Sequence, residues 1–267
     1  MTAPHLVGMI HLPALPGSPA WDGTSLSAIA RAAVVDAETL AEAGFDAVLV
    51  QNSLDRPTRE RVDQLTVAQL TAVTTQVRAA CQLSVGVNVV KNDGPAAVAI
   101  AAAAGADFVR VKVLTGTVLS AEGLVSGCAH ETLSMRVRSG GRPAIWADVR
   151  EPTSRPFPES TLQAAVVDAL DFGSADGVIV TGSDTSETLE LARSIRQSHP
   201  QAQLVIGGRI DAVSIAEALT TADAVIIGSA LKAVPGIRGR VDLGAATAIA
   251  LAAASSSGGA ARADTHA

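Results

Sequence analysis

The sequence predicts that the chain forms one (β/α)8 barrel, the fold also called a TIM barrel. Short runs of β-branched and aliphatic residues alternate with helical segments eight times, and the runs are too apolar for strands that face water on one side. The junction from helix to strand repeats as Gly-Phe-Asp at Gly44 and as Gly-Ala-Asp at Gly105. The length of 267 residues suits this fold, which typically needs about 250. A doubly wound sheet is the alternative, although it seldom contains eight such regular units.

Each predicted strand is a short apolar run that ends in small or polar residues, as expected of buried parallel strands. The first six are His5–His11, Phe45–Val50, Leu83–Val90, Ala106–Val113, Pro143–Val149 and Asp176–Val180. The seventh and eighth are the Leu-Val-Ile run from Leu204 and the Ala-Val-Ile-Ile run from Ala224. A rigid loop rich in proline, Leu12–Pro19, follows the first strand.

Helices are predicted between the strands from capping residues and apolar periodicity. Ser25 or Ser27 begins the first helix and Gly44 ends it, and Gly105 ends an alanine-rich helix. Later helices are predicted at about 129–138, 160–172, 187–197 and 241–253, whereas 117–127 contains no predicted regular element. The barrel is therefore assigned to residues 1–254. The Ser/Gly/Ala-rich segment 255–267 is expected to be a disordered tail.

Composition excludes several classes of function. The formal charge is −6 with a pI near 5.3, and the chain has four Phe, two Trp and no Tyr. A nucleic-acid partner is not expected, because it would need a basic face or aromatic stacking platforms. No apolar stretch approaches the roughly 20 residues that span a bilayer, and no secretory signal pattern is present, so a cytoplasmic protein is expected. Cys81 and Cys128 lack metal-ligand spacing and are expected to be free thiols.

Polar residues at the ends of the strands are all candidate active-site residues, because the active site of a TIM barrel lies on the loops that follow the strands. Arg110 and Lys112 lie two residues apart on strand four and therefore on one face, and Asp148 on the next strand is their expected partner. One interpretation is a structural ion pair inside the barrel. The other is functional: anion binding, acid–base chemistry, or a Schiff base on Lys112.

A phosphate site is predicted at the ends of strands seven and eight, where barrels often bind phosphate through loop amides. The candidate residues, including two from the neighbouring strand-six loop, are Gly207, Gly208, Gly228, Ser229, Thr181 and Gly182. The alternative is a pair of plain glycine turns. Lys232, one turn beyond Ser229, is expected to be a solvated side chain rather than a phosphate ligand.

Other strand-end residues are candidates that have simpler alternatives. His11 is either a catalytic residue or a core histidine. The remaining candidates for catalysis or substrate binding are Asn52, Asp55, Asn88, Asn92, Asp93 and Arg150. Asp55 and Asp93 could instead close Asx turns in their loops. Asp148, Asp55, Asp93 and His11 offer metal ligands without a characteristic spacing, so no cofactor is expected to be required, with a divalent metal as the alternative.

Several long motifs resemble those of the BtpA/SgcQ family. The first is Gly-Met-Ile-His-Leu-Pro-Ala-Leu-Pro-Gly-Ser-Pro, from Gly8 to Pro19. The others are Gly86–Gly94, Ala106–Val111, Ala147–Val149, Val180–Gly182 and Ile226–Lys232. The resemblance implies a barrel related to the ribulose-phosphate-binding group. The family is named for a factor needed for photosystem I accumulation and for a protein encoded among sugar-uptake genes.

Several positions at the predicted mouth depart from the family's motifs. Gln51 stands where the family usually has Glu, and Lys112 stands where it usually has Asn. A Lys-His pair expected after Asp148 is replaced by Glu-Pro-Thr-Ser at 151–154, and Arg209 replaces the last glycine of a Gly-Ser-Gly motif. These differences imply a divergent substrate or a lost activity, with Arg209 as an added cation for a phosphate.

The leading hypothesis is an enzyme that acts on a small phosphorylated substrate, a sugar phosphate or phosphoribosyl compound, by isomerase or lyase chemistry. The glycine loops and Arg209 would bind the phosphate, while Asp148, Lys112 and His11 would transfer protons or polarise a carbonyl. One alternative is a non-catalytic assembly or regulatory factor. Another is a nucleoside-processing enzyme with a base slot near Trp146. A homo-oligomer is expected by analogy with other barrels.

Overall fold

A computed structural model describes residues 6–140, 143–234 and 236–260. It contains eleven strands. They are β1 Leu6–His11, β2 Ala47–Gln51, β3 Ser84–Asn88, β4 Phe108–Val111, β5 Thr117–Ser120, β6 Gly123–Ser126, β7 Ala144–Arg150, β8 Ser154–Pro156, β9 Gly177–Val180, β10 Leu204–Ile206 and β11 Ala224–Ile227. Eight of them close into a parallel barrel in the order β1-β11-β10-β9-β7-β4-β3-β2, which confirms the predicted fold.

Eight α-helices follow or precede the barrel strands. They are α1 Leu26–Ala43, α2 Gln64–Ala80, α3 Gly94–Ala104, α4 Ala129–Arg138, α5 Leu162–Val167, α6 Thr185–Ser198, α7 Ile215–Thr221 and α8 Leu243–Ala260. Ser25 caps α1 by accepting from the amide of Ala28, and Gly44 ends it with a φ of 91°. Both capping residues are those that the sequence predicted.

The segment predicted to lack regular structure forms a hairpin instead. In it β5 pairs with β6, and β8 joins β5 from the loop after β7, giving a small antiparallel sheet beside the barrel. Val118 faces both Val125 and Pro156 in this sheet. The prediction was wrong because the strands are only three or four residues long and one partner is distant in the sequence.

Two further helix predictions differ from the structure. The helix predicted at 160–172 begins at Leu162 and turns into a π-helical segment, Asp168–Phe172. α8 runs to Ala260, past the predicted domain boundary at 254, and Ser255 Oγ donates to the Leu251 carbonyl within it. Alanine and serine therefore continue the helix into the segment predicted to be a disordered tail, and the rest of that segment, 261–267, lies outside the described residues.

Two apolar cores hold the barrel together. The larger core lies between the strands and the surrounding helices. The smaller one fills the lumen and includes Val7, Met9, Ala47, Leu49, Phe108, Trp146, Ile179, Val205 and Ile226. Phe108 stacks on Trp146 with ring centroids 4.3 Å apart. Gly86 makes room for this stack, because a Cβ there would lie 2.2 Å from the Phe108 ring.

Two composition-based predictions can be compared with the described residues. Cys81 and Cys128 are buried free thiols, as predicted. None of the described helices combines the length and the apolar character needed to cross a bilayer.

Candidate functional site

Each barrel strand presents one residue at the carboxyl end of the lumen. Side chains alternate along a strand, so the residue two positions after each lumen-core residue faces the same way. These positions, taken around the barrel from β1 through β11, are His11, Gly228, Gly207, Thr181, Asp148, Arg110, Asn88 and Gln51. We call them the mouth ring. All except Gln51 were predicted as site residues.

Arg110 and Asp148 form the ion pair that the sequence predicted between their strands. Arg110 Nε donates to Asp148 Oδ2 at 2.8 Å and Nη2 donates to Oδ1 at 2.7 Å. The two side chains are only 6% and 1% exposed. Burial by itself would lower the pKa of Arg110, but the Asp148 carboxylate outweighs it and raises that pKa. The two hydrogen bonds fix the pair in a bidentate geometry.

Lys112 extends this pair into a larger network. Its Nζ lies 3.8 Å from Asp148 Oδ1 and 3.7 Å from Glu151 Oε2. Lys91 Nζ lies 3.4 Å from Glu151 Oε1 and 3.9 Å from Glu122 Oε2. We call this set the charge network; its cations are Arg110, Lys112 and Lys91, and its carboxylates are Asp148, Glu151 and Glu122. Its formal charges cancel.

Burial changes the titration of two members of the charge network. Desolvation, and then the nearby Arg110, lower the pKa of Lys112, although Asp148 and Glu151 oppose the shift. For Glu151 burial alone would raise the pKa, but Lys112, Thr153 and Lys91 together hold it well below its usual range. Lys112 therefore gives up a proton more readily than an exposed lysine, while Glu151 stays a carboxylate.

Three members of the network were not predicted as site residues. Lys91 and Glu151 are 7% and 6% exposed. They lie in loops after β3 and β7, and Glu122 lies in the turn of the β5–β6 hairpin, where it also accepts a hydrogen bond from Thr58. The rule that loops after barrel strands converge would have suggested Lys91 and Glu151, but the hairpin that brings Glu122 to them was not visible in the sequence.

His11 is a neutral imidazole at the rim of the lumen. Burial, then Lys232 and Arg110, lower its pKa to about 4. A Cβ at Gly228 would lie 2.9 Å from His11 Cε1, so the glycine provides the space for the ring. Nδ1 is buried and has no hydrogen-bond partner within the described structure. The structure therefore does not show the interpretation in which His11 is a core histidine whose Nδ1 bonds a carbonyl.

The loops after β10 and β11 expose backbone amides at the predicted phosphate site. Gly207 N donates to the Val180 carbonyl and is not available. In contrast, the amides of Gly208, Arg209, Ser229 and Ala230 have no acceptor among the described residues. Gly208 and Arg209 have φ values of 147° and 66°, and the Arg209 side chain is exposed. The left-handed conformation of Arg209 explains why a glycine suits this position in the family's motif.

Lys232 is buried, so the prediction of a solvated side chain was wrong. It is 3% exposed, and its Nζ has no hydrogen-bond partner in the parts of the chain that the structure describes. Desolvation lowers its pKa, while Asp36 opposes the shift. The short β-bridge between Lys232 and Val241 places the residue under the segment that leads into α8, which the sequence did not indicate.

Four predicted site residues join the loops to one another. Asn52 donates to Asp55 and accepts from the Val90 amide, and Asp55 accepts from the Leu15 amide at 2.8 Å. Asp55 therefore links distant loops instead of closing an Asx turn. Asn92 is satisfied by Val113 and Ser126, and Asp93 caps α3 while accepting from Val62. These groups shape the mouth without a free hydrogen-bonding atom directed at a ligand.

Two other predicted residues lie at the edge of the mouth. The Gly182 amide donates to Thr188 Oγ1 at 2.9 Å, so it is already occupied. Arg150 is partly exposed and contacts the Ser160 carbonyl at 3.4 Å. Lys112 and Asp148 line a cavity of about 210 Å³ together with Phe157, which is 53% exposed. The charge network can therefore be reached from solvent on this side.

The described residues contain no group of three or more His, Cys, Asp or Glu side chains placed to hold a metal ion. The mouth carboxylates Asp148 and Glu151 are each engaged by cations of the charge network. A divalent ion would have to displace those cations before it could bind.

Solved structures with similar folds are TIM-barrel enzymes. N-(5'-phosphoribosyl)anthranilate isomerase from Pyrococcus furiosus superposes with a TM-score of 0.55 at 12% identity, covering 94% of this chain and 99% of the other. Tryptophan synthase from Mycobacterium tuberculosis gives a TM-score of 0.60 at 16% identity, covering 93% and 92%. At these identities the likeness is one of fold.

Sequence comparison gives a closer relationship. The photosystem I biogenesis protein BtpA of Synechocystis is 37% identical over 233 residues, which are 85% of this chain and 80% of that protein. An uncharacterised protein of Pyrococcus horikoshii is 40% identical over 190 residues, 71% and 72% of the two chains. The family model described as BtpA family matches residues 2–255. The chain therefore belongs to the BtpA family.

Proposed function

We propose that this protein is an enzyme that acts on a small phosphorylated substrate, a sugar phosphate or phosphoribosyl compound, by isomerase or lyase chemistry. The observation that carries the proposal is the set of unused amides after β10 and β11, at Gly208, Arg209, Ser229 and Ala230. They stand above the two glycines of the mouth ring, on the side of the lumen where β10 and β11 are neighbours. Unpaired amides of this kind bind phosphate oxygens.

The phosphate would be held by these amides with Arg209 as the counter-ion. Gly207 and Gly228 stand between Thr181 and His11 in the mouth ring, and their lack of side chains makes room for the Thr181 hydroxyl and the His11 ring. The group attached to the phosphate would lie over these two glycines. It would then lie with His11 on one side and the charge network on the other.

Proton transfer next to a carbonyl needs a base and an electrophile, and the mouth supplies candidates for both. His11 is neutral, so it can accept a proton at the rim of the lumen. Lys112 can polarise a carbonyl as a cation, and its lowered pKa also permits it to transfer a proton. The Arg110–Asp148 pair would hold Lys112 in place. We propose no required cofactor, and a cytoplasmic homo-oligomer remains our expectation from the sequence.

The proposal is tested by calorimetric titration with inorganic phosphate and with ribose 5-phosphate. Arg209→Gly should weaken binding of both about tenfold, the effect of losing one hydrogen bond to a charged group. Glycine also accepts the left-handed backbone, so the variant should fold normally. Arg31→Ala, at an exposed position of α1, removes the same charge away from the mouth and should change nothing. Wild-type protein that binds neither compound would refute the proposal.

The second candidate is a non-catalytic biogenesis or regulatory factor. The name of the Synechocystis relative favours it, and so does the internal neutrality of the charge network. It requires that Asp148→Asn and Lys112→Ala complement a strain lacking the gene, whereas an enzyme requires that they fail. The nucleoside-processing alternative has less support, because Trp146 is 4% exposed and stacks on Phe108 below the mouth ring.

A further inference from the structure

We propose that His11, Asn88 and Thr181 of the mouth ring recognise hydroxyl groups of a polyhydroxylated substrate. The proposal rests on the proposed function, because it concerns the part of the same substrate that lies below the phosphate. It adds which residues of the mouth ring would bind the hydroxyl groups of that sugar chain or ring.

The first observation is a set of buried polar atoms without partners. His11 Nδ1, Asn88 Oδ1 and Thr181 Oγ1 make no hydrogen bond to any described residue. Asn88 is 1% exposed and Thr181 is 6% exposed. Buried polar groups are almost always hydrogen-bonded, so orphans that gather in one layer of a lumen indicate a missing partner.

The second observation is the direction in which these atoms point. Asn88 Nδ2 donates to the Arg110 carbonyl at 2.8 Å, which leaves Oδ1 as the free atom of the amide. All three residues continue the alternation of lumen-facing residues, namely Met9 on β1, Gly86 on β3 and Ile179 on β9. The free atoms therefore face the lumen from three different strands.

The charges around the ring select a neutral ligand. The free carbonyl oxygen of Asn88 would repel a carboxylate. Arg110 Nη2 would repel an ammonium group, since a Cβ at Gly207 would lie 3.1 Å from it and 2.4 Å from Thr181 Oγ1. His11 is neutral and, like Thr181, can both donate and accept. Hydroxyl groups, which also donate and accept, fit this mixture.

Thr181→Val tests the proposal because valine has the same shape and lacks the hydroxyl. Titrations would use inorganic phosphate, ribose and ribose 5-phosphate as probes. Ribose 5-phosphate should bind wild type more tightly than phosphate does. The variant should lose about fivefold in affinity for ribose 5-phosphate and for ribose, and none for phosphate. The melting temperature should not fall, because the deleted hydroxyl has no protein partner.

Thr74→Val is the matched control. Thr74 is fully buried in α2 and its hydroxyl also has no partner among the described residues, so the change is chemically the same outside the mouth. It should leave the affinities for all three probes unchanged.

The possible outcomes separate this inference from the proposed function. Equal affinity for phosphate and ribose 5-phosphate, or an unchanged ratio in Thr181→Val, overturns the hydroxyl site and leaves the phosphate site standing; ordered water would then be the partner of the orphan atoms. Binding of ribose without binding of phosphate supports the hydroxyl site and refutes the phosphate site. Binding of none of the probes overturns both.

Discussion

Removing Asp148 should destabilise the protein more than removing Arg110, although the two side chains form one ion pair. Arg110 donates to both Asp148 oxygens at 2.7 and 2.8 Å, and Lys112 Nζ lies 3.8 Å from Asp148. Asp148→Leu therefore leaves Arg110 and Lys112, two largely buried cations, with Glu151 as the nearest remaining carboxylate. Arg110→Met instead leaves the Asp148 carboxylate with Lys112 as a partner.

The expected magnitudes follow from this asymmetry. Breaking a buried pair by removing one partner costs about 3–5 kcal/mol, because the remaining charge is uncompensated. Asp148→Leu should lie in this range and Arg110→Met below it. The double variant leaves Lys112 beside Glu151 and removes both other charges. Since apolar replacement of a whole buried pair is often neutral or stabilising, the double variant should be more stable than Asp148→Leu alone.

The measurement is the free energy of unfolding in urea, followed by circular dichroism for the two single variants and the double variant. The pair Arg193–Glu217, with side chains 48% and 55% exposed, is the control, and its variants should change stability by less than about 1 kcal/mol. Equal losses for Asp148→Leu and Arg110→Met would contradict the reasoning. So would a double variant whose loss equals the sum of the two single losses.

Three other predictions concern pH and packing. The pKa of His11 falls from 6.5 to about 4 on folding. The contribution of neutral His11 to the free energy of unfolding is therefore complete above pH 6.5 and is lost as pH falls toward 4. His11→Gln should remove up to about 3 kcal/mol of this pH dependence. Identical pH–stability curves for His11→Gln and wild type would contradict the prediction. The pKa of Glu151 is lowered from its ordinary 4.5, so its contribution to the free energy of unfolding is present above pH 4.5 and is lost in more acidic solution. Acid titration of Glu151→Gln should therefore show a shallower loss of stability below that pH. An unchanged slope would exclude this role. Gly86→Ala should lower the stability measured by thermal unfolding by about 1–3 kcal/mol, because its Cβ would lie 2.2 Å from the Phe108 ring. The same change should cost much less in a Phe108→Leu background. Equal costs in both backgrounds would mean that the strain arises elsewhere.

The barrel could be predicted because its signals are local. The capping of α1 by Ser25 and Gly44 and the apolar runs of the strands appear in the sequence without knowledge of distant partners. The pairing of Arg110 with Asp148 also followed, since alternation along a strand and adjacency in a barrel fix where both side chains point. These predictions needed only the period of the strand and the order of the units.

The parts that could not be predicted depend on contacts between distant segments. Glu122 reaches Lys91 because β8 pins the hairpin above the loops, and no local pattern reveals that pairing. Lys232 is buried because of a bridge to Val241, whereas a lysine after a turn is usually solvated. The sequence also could not show that Asn88 Oδ1 has no hydrogen-bond partner. That depends on the hydrogen bond from Asn88 Nδ2 to the Arg110 carbonyl.

Two residues that depart from the family's motifs contact each other. Lys112 stands where the family usually has Asn, and Glu151 stands in the segment that replaces a Lys-His pair. Their charged groups are 3.7 Å apart, so the two departures form one ion pair between β4 and the loop after β7. An isolated buried charge is costly, and each of these two charges compensates the other. The charge network therefore stays neutral although both positions differ from the motifs.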